Sequence, residues 1–151
     1  MAELKERLRA DLNAAMRARD QVRMRTLRMA LTSITNEEVA GTSARDLTDD
    51  EVVRVLTREA RKRREAAEAF GAAGRSDQAA AERAEGEVLA GYLPAQLSDD
   101  ELAALVDAAI AETGVSGMAA MGQVMKTVTP RVAGRADGAR VAAEVRRRLS
   151  S

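Results

Sequence analysis

The residues best suited to chemistry lie in the last third of the chain, and the chemistry they suit is recognition of phosphate. Between Met118 and Ser151 there are seven basic residues, Lys126, Arg131, Arg135, Arg140, Arg146, Arg147 and Arg148, against two acidic ones, Asp137 and Glu144, a local excess of +5. Arg135 stands in the run Gly134-Arg135-Ala136-Asp137-Gly138. A glycine-lined loop entering a helix exposes backbone amides that can hold a phosphate oxygen. Basic side chains around it add sequence-independent attraction to a nucleic-acid backbone. A capped turn with solvated arginines fits the same residues, so the pattern alone leaves both open. Gly122 lies inside an otherwise helical stretch at a cost of roughly 1 kcal/mol relative to Ala. Close approach of another helix or of an RNA backbone would account for it.

Other chemistries find little support. The chain has no His and no Cys, which removes the usual neutral-pH acid–base group, the thiolate nucleophile and the commonest transition-metal ligands. The Gly134–Gly138 run lacks the spacing and the Lys-Ser/Thr ending of a phosphate-binding Walker loop. No catalytic residue, cofactor or metal is expected. The run Arg61-Lys62-Arg63-Arg64 fans out around a helix axis, with Glu59, Glu65 and Glu68 nearby, and reads as a self-paired, solvated face. Net charge over all 151 residues is zero, so any affinity for a polyanion must be local. The start Glu3-Leu4-Lys5-Glu6-Arg7 lacks a signal-peptide core, and no apolar run reaches the roughly 20 residues of a membrane span. A cytoplasmic protein without a membrane partner is expected.

The elements that must position these residues are helices. Aromatic residues are almost absent, with one Tyr and one Phe, while Ala, Leu, Arg, Glu and Met favour helix. An all-α fold follows. Apolar spacing gives a first helix from about Ala2 to Ala18, and Asp20 can cap a second that ends by Gly41. Thr48 and Glu51 form a capping box for a third, closed by Gly71 and Gly74. Ser76 or Asp77 caps a fourth with a narrow side of Ala80, Ala84, Val88 and Leu89. Gly91 can end that helix in the left-handed conformation. Pro94 breaks the helical path, and Ser98 with Glu101 forms a second capping box. Three shorter helices follow. The sixth starts at Ser116 or Gly117 and is stopped by Pro130, with Met118, Met121 and Met125 as core filler. Asp137 caps the last. The predicted organisation is an N-terminal four-helix part over residues 1–91, a packed joint over 92–98 that sets geometry, and a C-terminal three-helix unit over 99–151.

Several of these stretches resemble one family. Tyr92-Leu93-Pro94-Ala95-Gln96-Leu97-Ser98 with Glu101-Leu102, Met121-Gly122-Gln123-Val124-Met125-Lys126, and Pro130 through Gly138 are similar to the motifs of the GatB/YqeY-like family. The segments Arg58–Arg63 and Glu68-Ala69-Phe70 match as well. The resemblance spans nearly the whole chain. It implies an all-helical fold and likeness to the C-terminal tail of the B subunit of the tRNA-dependent amidotransferase. In that host the tail contacts tRNA away from the reacting end. The family's description as a carbon–nitrogen ligase with glutamine as amido-N-donor implies no intrinsic activity here, because the chain lacks the B subunit's cradle domain. Carried over by position, the RNA-facing residues are Gly122, Lys126, Gly134, Arg135 and Gly138; Arg131 and Arg140 join them as neighbouring cations. The expected partner is tRNA, with an aminoacyl-tRNA synthetase or amidotransferase as a second, and no DNA. The alternative is a protein-interaction adaptor that binds no RNA.

Overall fold

In a computed structural model the described residues, 2–150, form seven α-helices and one short 3-10 turn, with no strand among them. The helices are α1 (Glu3–Ala18), α2 (Gln21–Glu38), α3 (Asp49–Ala72), α4 (Ser76–Ala90), α5 (Asp99–Thr113), α6 (Met121–Val132) and α7 (Gly138–Leu149). The chain divides into two compact units, one ending at Leu93 and the other starting at Pro94. The stretch expected as a joint is thus shared out. Tyr92 is buried in the core of the first unit, and Leu97 in the core of the second.

The core of the first unit gathers Leu8, Leu27, Ala30, Ile34, Leu47, Val52, Val55, Leu56, Leu89 and Tyr92. The α2 set, Leu27, Ala30 and Ile34, repeats at helical spacing, which gives one apolar face. Each fully buried Leu, Ile or Val side chain contributes roughly 1.5–3 kcal/mol through removal from water. The N-cap of α1, Ala2, has no side chain to offer, and the need is met from a distance. The Asp49 carboxylate accepts the Leu4 amide at 3.0 Å. Helix α4 has the weakest apolar side and buries Ala79 and Leu89; Ala80 is exposed. Its contact with α3 is close at Gly86, where an added Cβ would lie 3.8 Å from Arg63 Cβ. Arg63 then faces Glu82 and Glu85 on α4, at 3.8 and 3.2 Å, and Glu59 on its own helix at 3.5 Å. Arg61 lies 3.8 Å from Glu65 and Lys62 3.3 Å from Glu59.

The second unit closes around Leu97, Leu102, Val106, Ala109, Ala120, Val124, Val128, Val132, Ala136, Val141, Val145 and Leu149. Valines at 124, 128 and 132 and the set Val141, Val145 and Leu149 make one-turn ladders on α6 and α7. Met121 and Met125 pack against this core, whereas Met118 is 46 % exposed and is not core filler.

Local chemistry explains most boundaries. Both capping boxes form, Thr48 with Glu51 and Ser98 with Glu101, and Asp20 and Asp137 cap α2 and α7. The backbone amide of Ser98, then its hydroxyl, hold the Glu101 carboxyl below its usual range. Replacing Ser98 by Ala removes the acceptor for the Glu101 amide, 3.1 Å away. The expected loss is about 1 kcal/mol in the second unit, read as a lower urea midpoint with an unchanged slope.

Five boundaries differ from the sequence expectation. The sixth helix, expected from Ser116 or Gly117, opens as a 3-10 turn over Met118–Ala120, and α6 begins at Met121. Gly91 is right-handed, with φ −63°. Its amide bonds Leu89 instead of closing a left-handed cap. The N-cap of α4 is Arg75, with no side-chain cap, because Gly74 at φ +76° completes the reversal one residue early. Gly71 lies inside α3. Pro130 lies inside α6, which continues to Val132. Proline removes one amide and frees the carbonyl four residues back; that carbonyl belongs to Lys126, an exposed residue, where water can reach it.

Candidate nucleic-acid interface

Helix α6 sets out the first group of candidate residues. Its core side is Val124, Val128 and Val132, with Met121 and Met125 half-buried beside them. The opposite side carries Gly122, Lys126, Thr129 and Ala133, all exposed. Their spacing of four, three and four residues places them on one stripe. A Cβ at Gly122 would meet nothing within 4 Å, so no packing inside this chain requires glycine there. The face is flat, built from small side chains, with one cation. Lys126 has no ion pair among the described residues.

The second group lies in the loop after α6. Ala133 and Gly134 both take positive φ, 50° and 78°. This sharp reversal brings Arg135 back beside Val132, whose carbonyl accepts the Arg135 amide at 3.0 Å. The loop is stitched to the segment before α5. The Leu97 amide donates to the Arg135 carbonyl at 2.8 Å. The Gln96 side-chain amide donates to the carbonyls of Pro94 and Gly134, at 3.0 and 3.4 Å. Arg135 Nε donates to the Ala95 carbonyl at 3.3 Å. This positions the Arg135 guanidinium, whose charge is felt by the Glu101 carboxyl without a direct ion pair. The partnership of residues 95–97 with the loop, 38–40 positions apart, carries no signal in the spacing of the sequence.

The start of α7 is less open than a glycine loop suggests. The Asp137 carboxylate accepts the Arg140 amide at 3.0 Å. A phosphate at this helix end would meet a negative charge already in place. Gly138 has open space around its Cβ position, but the recognition capacity here lies in the cationic side chains.

Those cations are not equally available. Arg131 pairs with Glu112 at 2.5 Å and Arg140 with Asp99 at 2.9 Å. Arg147 and Arg148 both reach Glu144, and Arg148 also reaches Asp107 at 3.3 Å. Arg147 comes first among the groups that hold the Glu144 carboxyl below its ordinary value. From Pro94 onward seven basic residues face seven acidic ones. The +5 excess from α6 through α7 is therefore balanced by the five acids of α5. Lys126 and Arg146 are left without a carboxylate partner among the described residues, and Arg135 has no ion pair but lies near enough to Glu101 for its charge to help hold that carboxyl down. Arg146 was not among the candidate residues. Its exposure in the last turn of α7, with Arg147 and Arg148 drawn to Glu144, sets it apart.

Among the described residues no group of three or more acidic side chains could hold a metal ion, and no single helix is long and apolar enough to cross a membrane. Fold and site together define an all-helical protein of two compact units, the second carrying an open, glycine-interrupted helix face beside a cationic loop. A family model described as Yqey-like protein matches residues 5–149, and the chain belongs to this YqeY-like family. No curated protein gives a significant match.

Proposed function

We propose that the unit starting at Pro94 docks on the sugar–phosphate backbone of tRNA, and that the chain is a cytoplasmic accessory to tRNA-dependent amidation with no catalytic site of its own. The observation that carries this is the outer face of α6. Gly122 is exposed, serves no packing inside the chain and stands one turn from Lys126, which has no acidic partner. Glycine costs roughly 1 kcal/mol in a helix interior and less at the second residue of α6, where Gly122 stands, and close approach of an external backbone offsets that cost. Lys126 and Arg135 then supply charge to phosphates, while Arg131 and Arg140, tied to Glu112 and Asp99, contribute mainly to the stability of the unit.

Filter binding of total tRNA across a salt series tests this. Lys126→Ala/Arg135→Ala is expected to weaken binding at low salt and to reduce the salt slope by about 1–2, as for one or two lost phosphate contacts. Gly122→Ala separates binding from folding. At the second residue of α6 it should stabilise the free protein by less than about 0.5 kcal/mol while weakening tRNA binding. Equal, undetectable binding by the wild type and the double variant at low salt would sink the proposal. Capture of a protein complex that survives RNase treatment, without tRNA binding, would establish a protein adaptor in its place.

A further inference from the structure

The turn between α1 and α2 carries a second concentration of positive charge. Residues 17–28 hold five arginines, Arg17, Arg19, Arg23, Arg25 and Arg28, and one acid, Asp20. Asp20 is occupied as the cap of α2, accepting the Arg23 amide at 3.1 Å. Arg25 alone among the five has a carboxylate, Glu85, at 2.9 Å. Arg23 donates to the Tyr92 hydroxyl at 3.2 Å, and Arg28 to Met16 Sδ at 3.5 Å. Arg17 and Arg19 have no side-chain partner among the described residues. Elsewhere in the first unit, Lys5, Arg9, Arg45, Arg58, Arg61, Lys62 and Arg63 face carboxylates, while Arg54, Arg75 and Arg83 have none among the described residues. The α1–α2 turn is where such cations cluster, with Arg17, Arg19, Arg23 and Arg28 inside twelve positions.

Local helix electrostatics explains only part of it. Cations in the last turn of α1 complement the negative end of that helix, which accounts for Arg17 and Arg19. Arg23 and Arg25 stand near the positive end of α2, whose first turn has no acidic residue, and there a cation is disfavoured. Arg19 is itself held left-handed, at φ 57° and ψ 35°. Glycine would take that conformation without steric cost, whereas a side chain pays for it. The turn is tight: the Arg19 amide bonds the Met16 carbonyl at 3.2 Å and the Asp20 amide bonds the Ala15 carbonyl at 3.0 Å. At 1.5 Å per residue, Arg28 rises only about 12 Å along α2 from the turn.

We infer that the α1–α2 turn, through Arg17, Arg19 and Arg28, is a phosphate-binding surface for RNA, separate from α6 and its loop. The inference rests on the RNA reading above, and its residues belong to the other unit. Guanidinium groups match phosphate oxygens in a bidentate fork. The neighbouring exposed residues Asn13, Ala14, Ala18 and Gln21 are small or polar. Met16, at 38 % exposure, is the one large apolar side chain beside the arginines. With no aromatic side chain and only Met16 to insert, the surface is poorly suited to a bilayer.

The test is a titration of the full-length chain with fluorescent total tRNA at several salt concentrations, using Arg17→Ala/Arg19→Gly alongside Lys126→Ala/Arg135→Ala. Glycine at position 19 suits the left-handed backbone, and unchanged helicity confirms folding. The turn variant is expected to bind roughly tenfold more weakly at low salt, with a salt slope smaller by about 2. Loss in both variants supports both surfaces. Loss in the turn variant alone supports this surface and removes α6 from the RNA contact. Loss in the Lys126/Arg135 variant alone overturns the turn surface and leaves the α6 interface standing. No binding by the wild type overturns both. If the turn variant binds tRNA normally but loses binding to phosphatidylserine–phosphatidylcholine vesicles, the surface is a membrane contact and the RNA assignment is overturned.

Discussion

Replacing Lys5 by Met is expected to destabilise the first unit by about 3–5 kcal/mol, the usual consequence of leaving one member of a buried ion pair alone. Lys5 lies on α1 and is only 5 % exposed. Its ammonium donates to both oxygens of Glu38, the last residue of α2, at 2.8 and 2.7 Å. Glu38 is itself 9 % exposed. Methionine keeps most of the volume of the lysine stem, so packing is largely retained. What is lost is the partner of a carboxylate that cannot move into water. The companion variant Lys5→Met/Glu38→Leu removes both charges, and most of the lost stability should return, because desolvation of the pair roughly cancels its attraction. Urea unfolding followed by helicity measures both variants. Equal destabilisation in the two would show that the lysine acts through packing and that the orphaned charge contributes nothing.

That pair shows where reading the sequence stops. The apolar ladders of α2, α6 and α7 were legible because their information lies within one helix. So were the capping boxes at Thr48 and Ser98, where donor and acceptor stand three residues apart. Lys5, Glu38 and Glu59 look like surface residues in the sequence. Their burial depends on partners brought from other helices, 33 residues away for Lys5 and 26 for the Ser33 hydroxyl that donates to Glu59. The candidate interface divides in the same way. The cations of α6 and α7 could be listed from the sequence, but not which of them are neutralised. Asp99, Asp107 and Glu112 precede their arginine partners by 41, 41 and 19 positions. Arg131 and Arg140 look as available as Lys126 until those pairs are seen. The arginines of the α1–α2 turn were countable, yet their lack of counter-charge appears only once the carboxylates of that unit have been placed.

Tyr92→Phe is expected to remove an alkaline weakness that the wild type carries. The hydroxyl donates to Asp11 Oδ2 at 2.5 Å, and the Arg7 guanidinium lies over the ring, 4.7 Å from its centre. Burial first, then the bond to Asp11 and its charge, push the phenol up to about 12; Arg23 and Arg7 pull the other way. The unfolded chain has the ordinary value near 10, so between those values the folded protein holds its proton more tightly than the unfolded one. The stabilisation is fully present below about pH 10 and is lost as pH rises through 12, up to about 2 kcal/mol in all. Phenylalanine has no proton to lose, so this share of the alkaline decline should vanish. At neutral pH the variant should be less stable by about 1–2 kcal/mol, the worth of a hydroxyl bond to a carboxylate that stays partly hydrated. Because the chain has one tyrosine, tyrosinate absorbance reports Tyr92 directly. An ionisation near pH 10 in the folded protein, or the same stability loss from pH 10 to 12 in the variant, would show that Asp11 and burial do not hold the proton. The hydroxyl ties the residue just after α4 to α1. Its ionisation therefore loosens the end of the first unit, immediately before the chain enters the second.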